Sequence, residues 1–326
     1  MKMKHLFTLL AVGAALSATM LTGCRKAPTN TSSSGIATIV CDESFENIME
    51  QEIDVFEYNT RGKANIIPYY VSEKACVDSL LDLKTQNIII TRELTEKETE
   101  YLKAKKKNVR SIPIAVDAIA LIVNPENKIE SLSVAEVSDI LTGRTTKWDE
   151  LGPGLHGDIQ VVFDNEGSST VQYMKNSLMK GEKFGDNVFA QNTNQEVFEQ
   201  VKMRKNAVGI IGVSWISADM RTRDMPREER IKSLAEQDTT VADFDTAVKV
   251  LSIYPEGSIR AYKPYQAYIY DGSYPLYRTI YMISTGVNGS LSHGFYSFVT
   301  GTIGQKIIQR TGILPARVQP RMVNMY

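Results

Sequence analysis

Apolar and polar positions along this chain follow two rhythms in turn, short β-branched runs and then stripes at helical spacing. Ile36–Val40 is apolar enough for a strand, and from about Ser44 to Tyr58 the residues Phe45, Ile48, Met49, Ile53 and Phe56 share one helical face. Asn65–Val71 predicts the next strand, Ser72 can cap a helix carrying Val77, Leu80 and Leu81, and Asn87–Ile90 reads as a buried strand. Thr95-Glu96-Lys97-Glu98 has the spacing of a capping box and opens a polar, Lys-rich helix. This β-α-β-α-β order predicts an α/β fold with a mostly parallel sheet flanked by helices.

The rhythm changes at Ile112–Asn124, a long apolar extension interrupted only by Pro113 and Asp117. A run of that length can carry the chain from one lobe to another. A second α/β set follows: a capping box at Ser133–Glu136, a helix stop at Leu141-Thr142-Gly143, a strand at Ile159–Phe163, a helix over Ser168–Met179 and a Gly-flanked strand at Val208–Gly212. Trp215–Thr246 is charged and poorly periodic, which suits a surface helix with loops, and Val248–Ile253 is apolar enough for a return crossing. Tyr277–Thr285 predicts a strand. Leu291–Arg310 predicts one helix with Phe295, Phe298, Val299, Ile303, Ile307 and Ile308 turned inward. No repeat of solenoid length is visible.

The most informative stretch joins Val161-Val162-Phe163 to Val171. A β-branched run ends, the turn Asp164-Asn165-Glu166-Gly167 follows, and Ser168, Ser169 and Thr170 open an amphipathic helix. Backbone N–H groups and hydroxyls meet there at the positive end of a helix dipole, a setting that suits an anion. No Lys follows the turn as a P-loop requires, and no G-x-S-x-G elbow is present.

Composition narrows the function. The formal net charge is −1, which argues against nucleic acid as a partner, and the basic cluster Lys103–Lys107 reads as a solvated helix face. Met1–Lys4 is basic, Leu6–Met20 is apolar or small, and Leu21-Thr22-Gly23-Cys24 closes the segment. That grammar is an export signal over 1–23, and the cysteine after Leu-Thr-Gly resembles a lipoprotein cleavage site acylated at Cys24. Residues 24–35 then form a polar tether. Beyond it only Cys41 and Cys76 remain, whose pairing is left open. His156 and His293 have no acidic or Cys partner at ligand spacing, so neither a metal site nor a cofactor is expected. A serine hydrolase built on Ser168 or Ser169 lacks a recognisable base.

These segments resemble those of the substrate-binding proteins of high-affinity phosphate ABC importers, in their Bacteroidetes-type lipoprotein form. The resemblance lies in Ile112–Pro125, in Leu132–Leu151 with Asp139-Ile140-Leu141-Thr142-Gly143 and Lys147-Trp148, in Asp164–Thr170, and in Ala207–Gly212. Tyr274-Pro275-Leu276-Tyr277-Arg278, Phe298, Gly304-Gln305-Lys306 and Gly312-Ile313-Leu314-Pro315 complete it. It implies the two-lobed periplasmic-binding-protein fold of type II, each lobe a mostly parallel sheet flanked by helices, spanning residues 36–317 as one domain. Lobe one is expected over 36–111 with 255–326, lobe two over 118–247, and the hinge crossings at 112–117 and 248–254. It implies a monomer on the periplasmic side, tethered by its lipid, that binds phosphate or a related oxyanion between the lobes without catalysis and hands it to an inner-membrane ABC permease. The ligand residues so implied are Ser44, Phe45, Ser72 and Thr91, with Arg92 beside it, from the first lobe. The second lobe supplies Asp164, Gly167, Ser168, Ser169 and Thr170.

Two positions depart from the family pattern. Asp164 stands where the anion loop usually has Arg, and Thr91 where Asp or Ser is usual. Either Asp164 accepts a proton of hydrogen phosphate while Arg92 supplies the positive charge, or Asp164 merely begins the loop. A sensory or adhesion lipoprotein that keeps the fold without transport is the alternative function, and a hydrolase using Ser169 a third.

Overall fold

Strand β1 (Gly35–Asp42) pairs in parallel with β2 (Ala64–Val71) and β3 (Asn87–Ile90), and the crossovers between them carry α1 (Glu46–Asn59) and α2 (Glu73–Leu81). In this computed structural model the described residues are 30–217, 226, 228–229, 231 and 243–317. The export signal, Cys24 and the first half of the tether, residues 24–29, lie outside them, as does most of the charged stretch 218–242. Helix α1 buries the expected stripe, with Ile48 and Met49 each 1% exposed. The capping box at Thr95 forms and starts α3 (Glu96–Ala104).

The long extension is one strand, β4 (Arg110–Val123). After it come β5 (Ser131–Ser133), α4 (Val134–Leu141), β6 (Gln160–Phe163), α5 (Ser169–Ser177), β7 (Val188–Ala190), α6 (Asn194–Met203) and β8 (Ala207–Gly212). The chain closes with β9 (Lys249–Val250), β10 (Ser252–Tyr254), α7 (Gln266–Tyr270), β11 (Tyr277–Ser284), α8 (Leu291–Val299), α9 (Thr302–Arg310) and β12 (Leu314–Pro315).

Strand β4 belongs to two sheets at once. Arg110–Ala118 pairs antiparallel with β11, which itself lies beside β3, whereas Ile119–Val123 pairs antiparallel with β8. Strand β8 leads on to β6 and β7, both parallel to it in direction. The parallel order expected on each side is therefore present, and the antiparallel members are the strands that join the halves. Pro113 offers no N–H to the ladder, and the register slips there, Ile280 facing Ala115 and Tyr281 facing Pro113. The change of sheet at Ala118–Ile119 is pinned by the Ile119 N–H on the Leu276 carbonyl and by the Tyr274 hydroxyl on the Ile119 carbonyl, at 2.8 and 2.7 Å.

Two expectations need correction. Residues 248–254 do not cross back. Strand β9 pairs with Ile122–Val123 of β4 and β10 pairs with β5, so this stretch stays with the second sheet. The passage back falls after Tyr262, which bridges Ile253, and before Gln266, whose amide donates to the carbonyls of Gln309 and Ile313. The stretch Leu291–Arg310 is two helices, because the chain breaks at Thr300-Gly301 and Gly301 becomes the N-cap of α9. The break resets the helical phase, so Gly304, Ile307 and Ile308 face inward while Ile303 is 52% exposed. Close packing of α9 on α8 requires Gly304, since a Cβ there would lie 2.6 Å from the Val299 backbone.

Glu52 on α1 is fully buried and neither carboxylate oxygen has a hydrogen-bond partner. Burial raises its pKa well above the usual glutamate range. A raised carboxyl holds its proton in the folded state and releases it on unfolding. Its contribution is thus fully present below the ordinary glutamate pKa and is lost as pH rises toward the folded value, by about 1.4 kcal/mol per pH unit. The variant Glu52→Gln should remove that slope and be more stable than the parent at pH 8. Urea denaturation at pH 5 and pH 8 measures it; parallel pH profiles in both proteins would refute it.

Candidate anion-binding site

The site begins where β1 ends. Asp42 accepts the Ser44 N–H at 2.9 Å and so starts the 3-10 turn Glu43–Phe45 that leads into α1. Opposite, β6 ends at Phe163 and the loop from Asp164 delivers the N-cap of α5, where Ser168 accepts the Val171 N–H at 3.1 Å. Two helix starts therefore meet, one from each sheet. Their first-turn N–H groups have no intrahelical acceptor, and their dipoles favour negative charge between them.

A buried cation lies beside them. The antiparallel register of β11 on β4 sets Arg278 directly opposite Asp117. The guanidinium donates to Asp117 Oδ2 through Nε and Nη2 at 3.2 and 3.1 Å, and through Nη1 to the Ser169 hydroxyl at 2.7 Å. It also stacks over the Phe45 ring, 4.9 Å from its centroid. Ser169 donates its hydroxyl to Asp42 Oδ1 at 2.9 Å and lies 3.3 Å from the Ser44 hydroxyl. None of Asp42, Ser44, Phe45, Asp117, Asp164, Ser168, Ser169, Thr170 and Arg278 is more than 5% exposed. Entry of any ligand thus requires the two halves to part.

Further bonds tie the halves together around this centre. Asn47 donates to the Ser214 carbonyl at 2.8 Å, Trp215 Nε1 donates to the Ser44 carbonyl at 2.8 Å, and Asn165 reaches Glu43. Of the ten ligand residues expected from sequence, Ser44, Phe45, Asp164, Ser168, Ser169 and Thr170 converge here. Thr170 Oγ1 is buried without a partner. Ser72, Gly167 and Arg92 instead line an adjoining groove of about 570 Å³ at the start of α2. A Cβ on Gly167 would lie 3.4 Å from that of Ser72, so the two loops nearly touch. Thr91 donates both its N–H and its hydroxyl to Glu73, at 2.7 and 2.5 Å.

The two charged side chains of the sequence expectation, Arg92 and Asp164, each have partners of their own. Arg92 is committed to Glu98 by two 2.9 Å bonds, and that hydrogen bonding lowers the Glu98 carboxyl to about 2. Asp164 receives the Ser168 hydroxyl at 2.5 Å and the Asn194 amide at 3.3 Å, and burial pushes its carboxyl up to about 7. Asp42 and Asp117 are raised by burial as well, against the opposing pull of Arg278. Sequence reasoning missed Asp42, Asp117 and Arg278. Asp117 had a signal, as the lone charge in an apolar run; a buried charge there needs a partner. Arg278 had none, because only the strand register places it.

A model described as a PBP superfamily domain matches residues 26–302. The chain belongs to the PBP superfamily. Among individual proteins, it is 30% identical over 119 residues to the phosphate-binding protein PstS 2 of Streptococcus agalactiae, covering 36% of this chain and 38% of that one. It is 24% identical over 233 residues to the phosphate-binding protein PstS of Pseudomonas aeruginosa, covering 65% of this chain and 62% of that one. Both matches thus span less than two thirds of those relatives. A Clostridium perfringens protein crystallised with bound phosphate shares the two-lobed fold, with a TM-score of 0.68 over 87% of this chain and all of that one, at 20% identity.

Removing one member of a buried charge pair leaves the other uncompensated and costs about 3–5 kcal/mol. Arg278→Met should therefore destabilise the protein by that order, and adding Asp117→Asn should restore part of the loss. Chemical denaturation of Arg278→Met, Asp117→Asn, the double variant and the parent tests the coupling. Additive losses would show that the two side chains act independently.

Proposed function

We propose that this chain is an extracytoplasmic solute-binding lipoprotein that captures phosphate or a related oxyanion between two lobes for an ABC permease. The observation that carries the reading is the meeting of two helix starts, at Ser44 and at Ser168–Thr170, beside the buried Arg278. Similarity to phosphate-binding proteins supports phosphate over other oxyanions. In this reading, among the described residues, lobe one comprises 36–118 and 266–317, and lobe two comprises 119–217 and 243–262. Their parting and closure carries the ligand in and out, and the ligand stabilises the closed form by binding it better than the open one.

No bond is made or broken. Ser169 is the candidate nucleophile, but its partners are a carboxylate, a guanidinium and a serine, and none of them is an imidazole base. Asp164 serves the loop, holding the capping Ser168 rather than facing the ligand. The free hydroxyl of Thr170 is a donor for the anion, together with the first-turn N–H groups of α5. The protein acts as a monomer, exported and held at the membrane through Cys24. No helix among the described residues is long and apolar enough to cross a membrane.

Calorimetric titration of the soluble domain with phosphate, sulfate and molybdate tests the reading. Phosphate should bind, and Thr170→Ala should weaken it by about 1–3 kcal/mol, the usual loss for a hydrogen bond to a charged group. Heat from none of the three would end the oxyanion reading. The anchor has its own test: native protein should partition into detergent and Cys24→Ala should not. An unmodified N-terminus at another residue by intact mass would exclude lipidation.

A further inference from the structure

Asp42 does more than cap the turn that follows it. Its Oδ1 accepts the Ser44 N–H on its own side of the cleft and the Ser169 hydroxyl on the other, both at 2.9 Å. A capping role accounts for the first bond and not for the second, which joins residues 127 apart in sequence. Its Oδ2 is fully buried and unpartnered. Ser169 meanwhile accepts from Arg278, so the guanidinium reaches the carboxylate through a single hydroxyl. A helix-start N–H, a second-lobe hydroxyl and a buried cation are the groups an oxyanion would seek here.

We infer that Asp42 is a built-in stand-in for the oxyanion, which ties the lobes together by holding donors that an incoming anion must take from it. This rests on the oxyanion reading and adds the regulation of that same site. Facing Asp42 are Cys41 and Glu43 from its own segment, Cys76 from α2, Asp117 from β4, Asp164 after β6 and Arg278 from β11. Both cysteines are free and buried, and burial raises their pKa values, so they add no charge. One guanidinium therefore stands against three buried carboxylates. A bound anion beside ionised Asp42 would face unscreened like charge. Binding is then coupled to neutralisation of Asp42 by a proton. Burial already raises the Asp42 carboxyl toward that state.

Two substitutions separate the charge from the tie. Asp42→Asn keeps the shape and removes the charge. It should bind phosphate about tenfold or more tighter than the parent at pH 8, with the gap closing as pH falls toward 5. Calorimetry in two buffers of different ionisation heat should show the parent taking up more protons per phosphate than Asp42→Asn. Asp42→Ala removes the tie, and should enlarge the radius of gyration by small-angle scattering without added anion. A folded Asp42→Asn protein that binds phosphate no tighter, with the same proton count, overturns the inference. If no variant binds phosphate but Asp42→Ala still expands, the tie stands and the phosphate reading falls. If Asp42→Asn does not fold, Asp42→Ser supplies the same neutral side and must show the same gain.

Discussion

The arrangement depends on one strand being shared by two sheets with a buried ion pair beside the change. Strand β4 pairs with β11 as far as Ala118 and with β8 from Ile119 onward. Asp117 is the last but one residue before that switch, and its register partner is Arg278. Both are withdrawn from water, at 0% and 5% exposure, so each is viable only through the other. A Cβ on Gly212 of β8 would lie 3.0 Å from Asp117 Oδ2, so the second sheet closes directly over the pair. The cation is consequently fixed at the junction itself rather than on a loop of either half.

That placement explains why the neutral donors take the form they do. The helix starts at Ser44 and Ser168 approach from opposite sides and meet at Ser169, which touches Asp42, Ser44 and Arg278 at once. Each start exists for local reasons. A carboxylate follows β1 and caps the turn into α1; a Ser follows the β6 loop and caps α5. Capping and anion donation demand the same geometry, so the fold builds the donors in the course of starting its helices. What it does not build locally is charge balance, and three acidic groups around one Arg leave the centre short of positive charge.

Much of the fold was legible because periodicity records which face is buried. The stripe on α1, the capping boxes at Thr95 and Ser133, and the switch-bearing run at Ile112–Val123 all follow from side-chain spacing alone. The failures have a common cause. The return crossing at 248–254 and the single helix at Leu291–Arg310 were read from hydrophobicity, which reports burial but not against which partner. Element ends are marked by sequence signals, yet only six of the ten expected ligand residues converge; Ser72 and Thr91 are also at element ends but line the adjoining groove or bond Glu73. Arg278 is the second residue of β11, at a position that only register places opposite Asp117, and Arg92 was drawn away by Glu98, six residues on. Contacts between distant segments leave no local trace.

The departure at Asp164 takes on a physical sense from this. In the pattern this loop resembles, an Arg stands at the position of Asp164. Here the loop brings hydroxyls and N–H groups, while the cation waits at the junction on β11. Coulomb attraction extends over many ångströms in a dry cleft, whereas a hydrogen bond is lost within about one ångström of misfit. In the proposed mode, the anion would first be held by a fixed charge. Closure would then depend on short-range donors that reward only a ligand of the right shape. A carboxylate at Asp164 is tolerable in such a scheme because the loop no longer has to attract anything. It has only to present Ser168, Ser169 and Thr170 in register, and the bond from Ser168 to Asp164 does that.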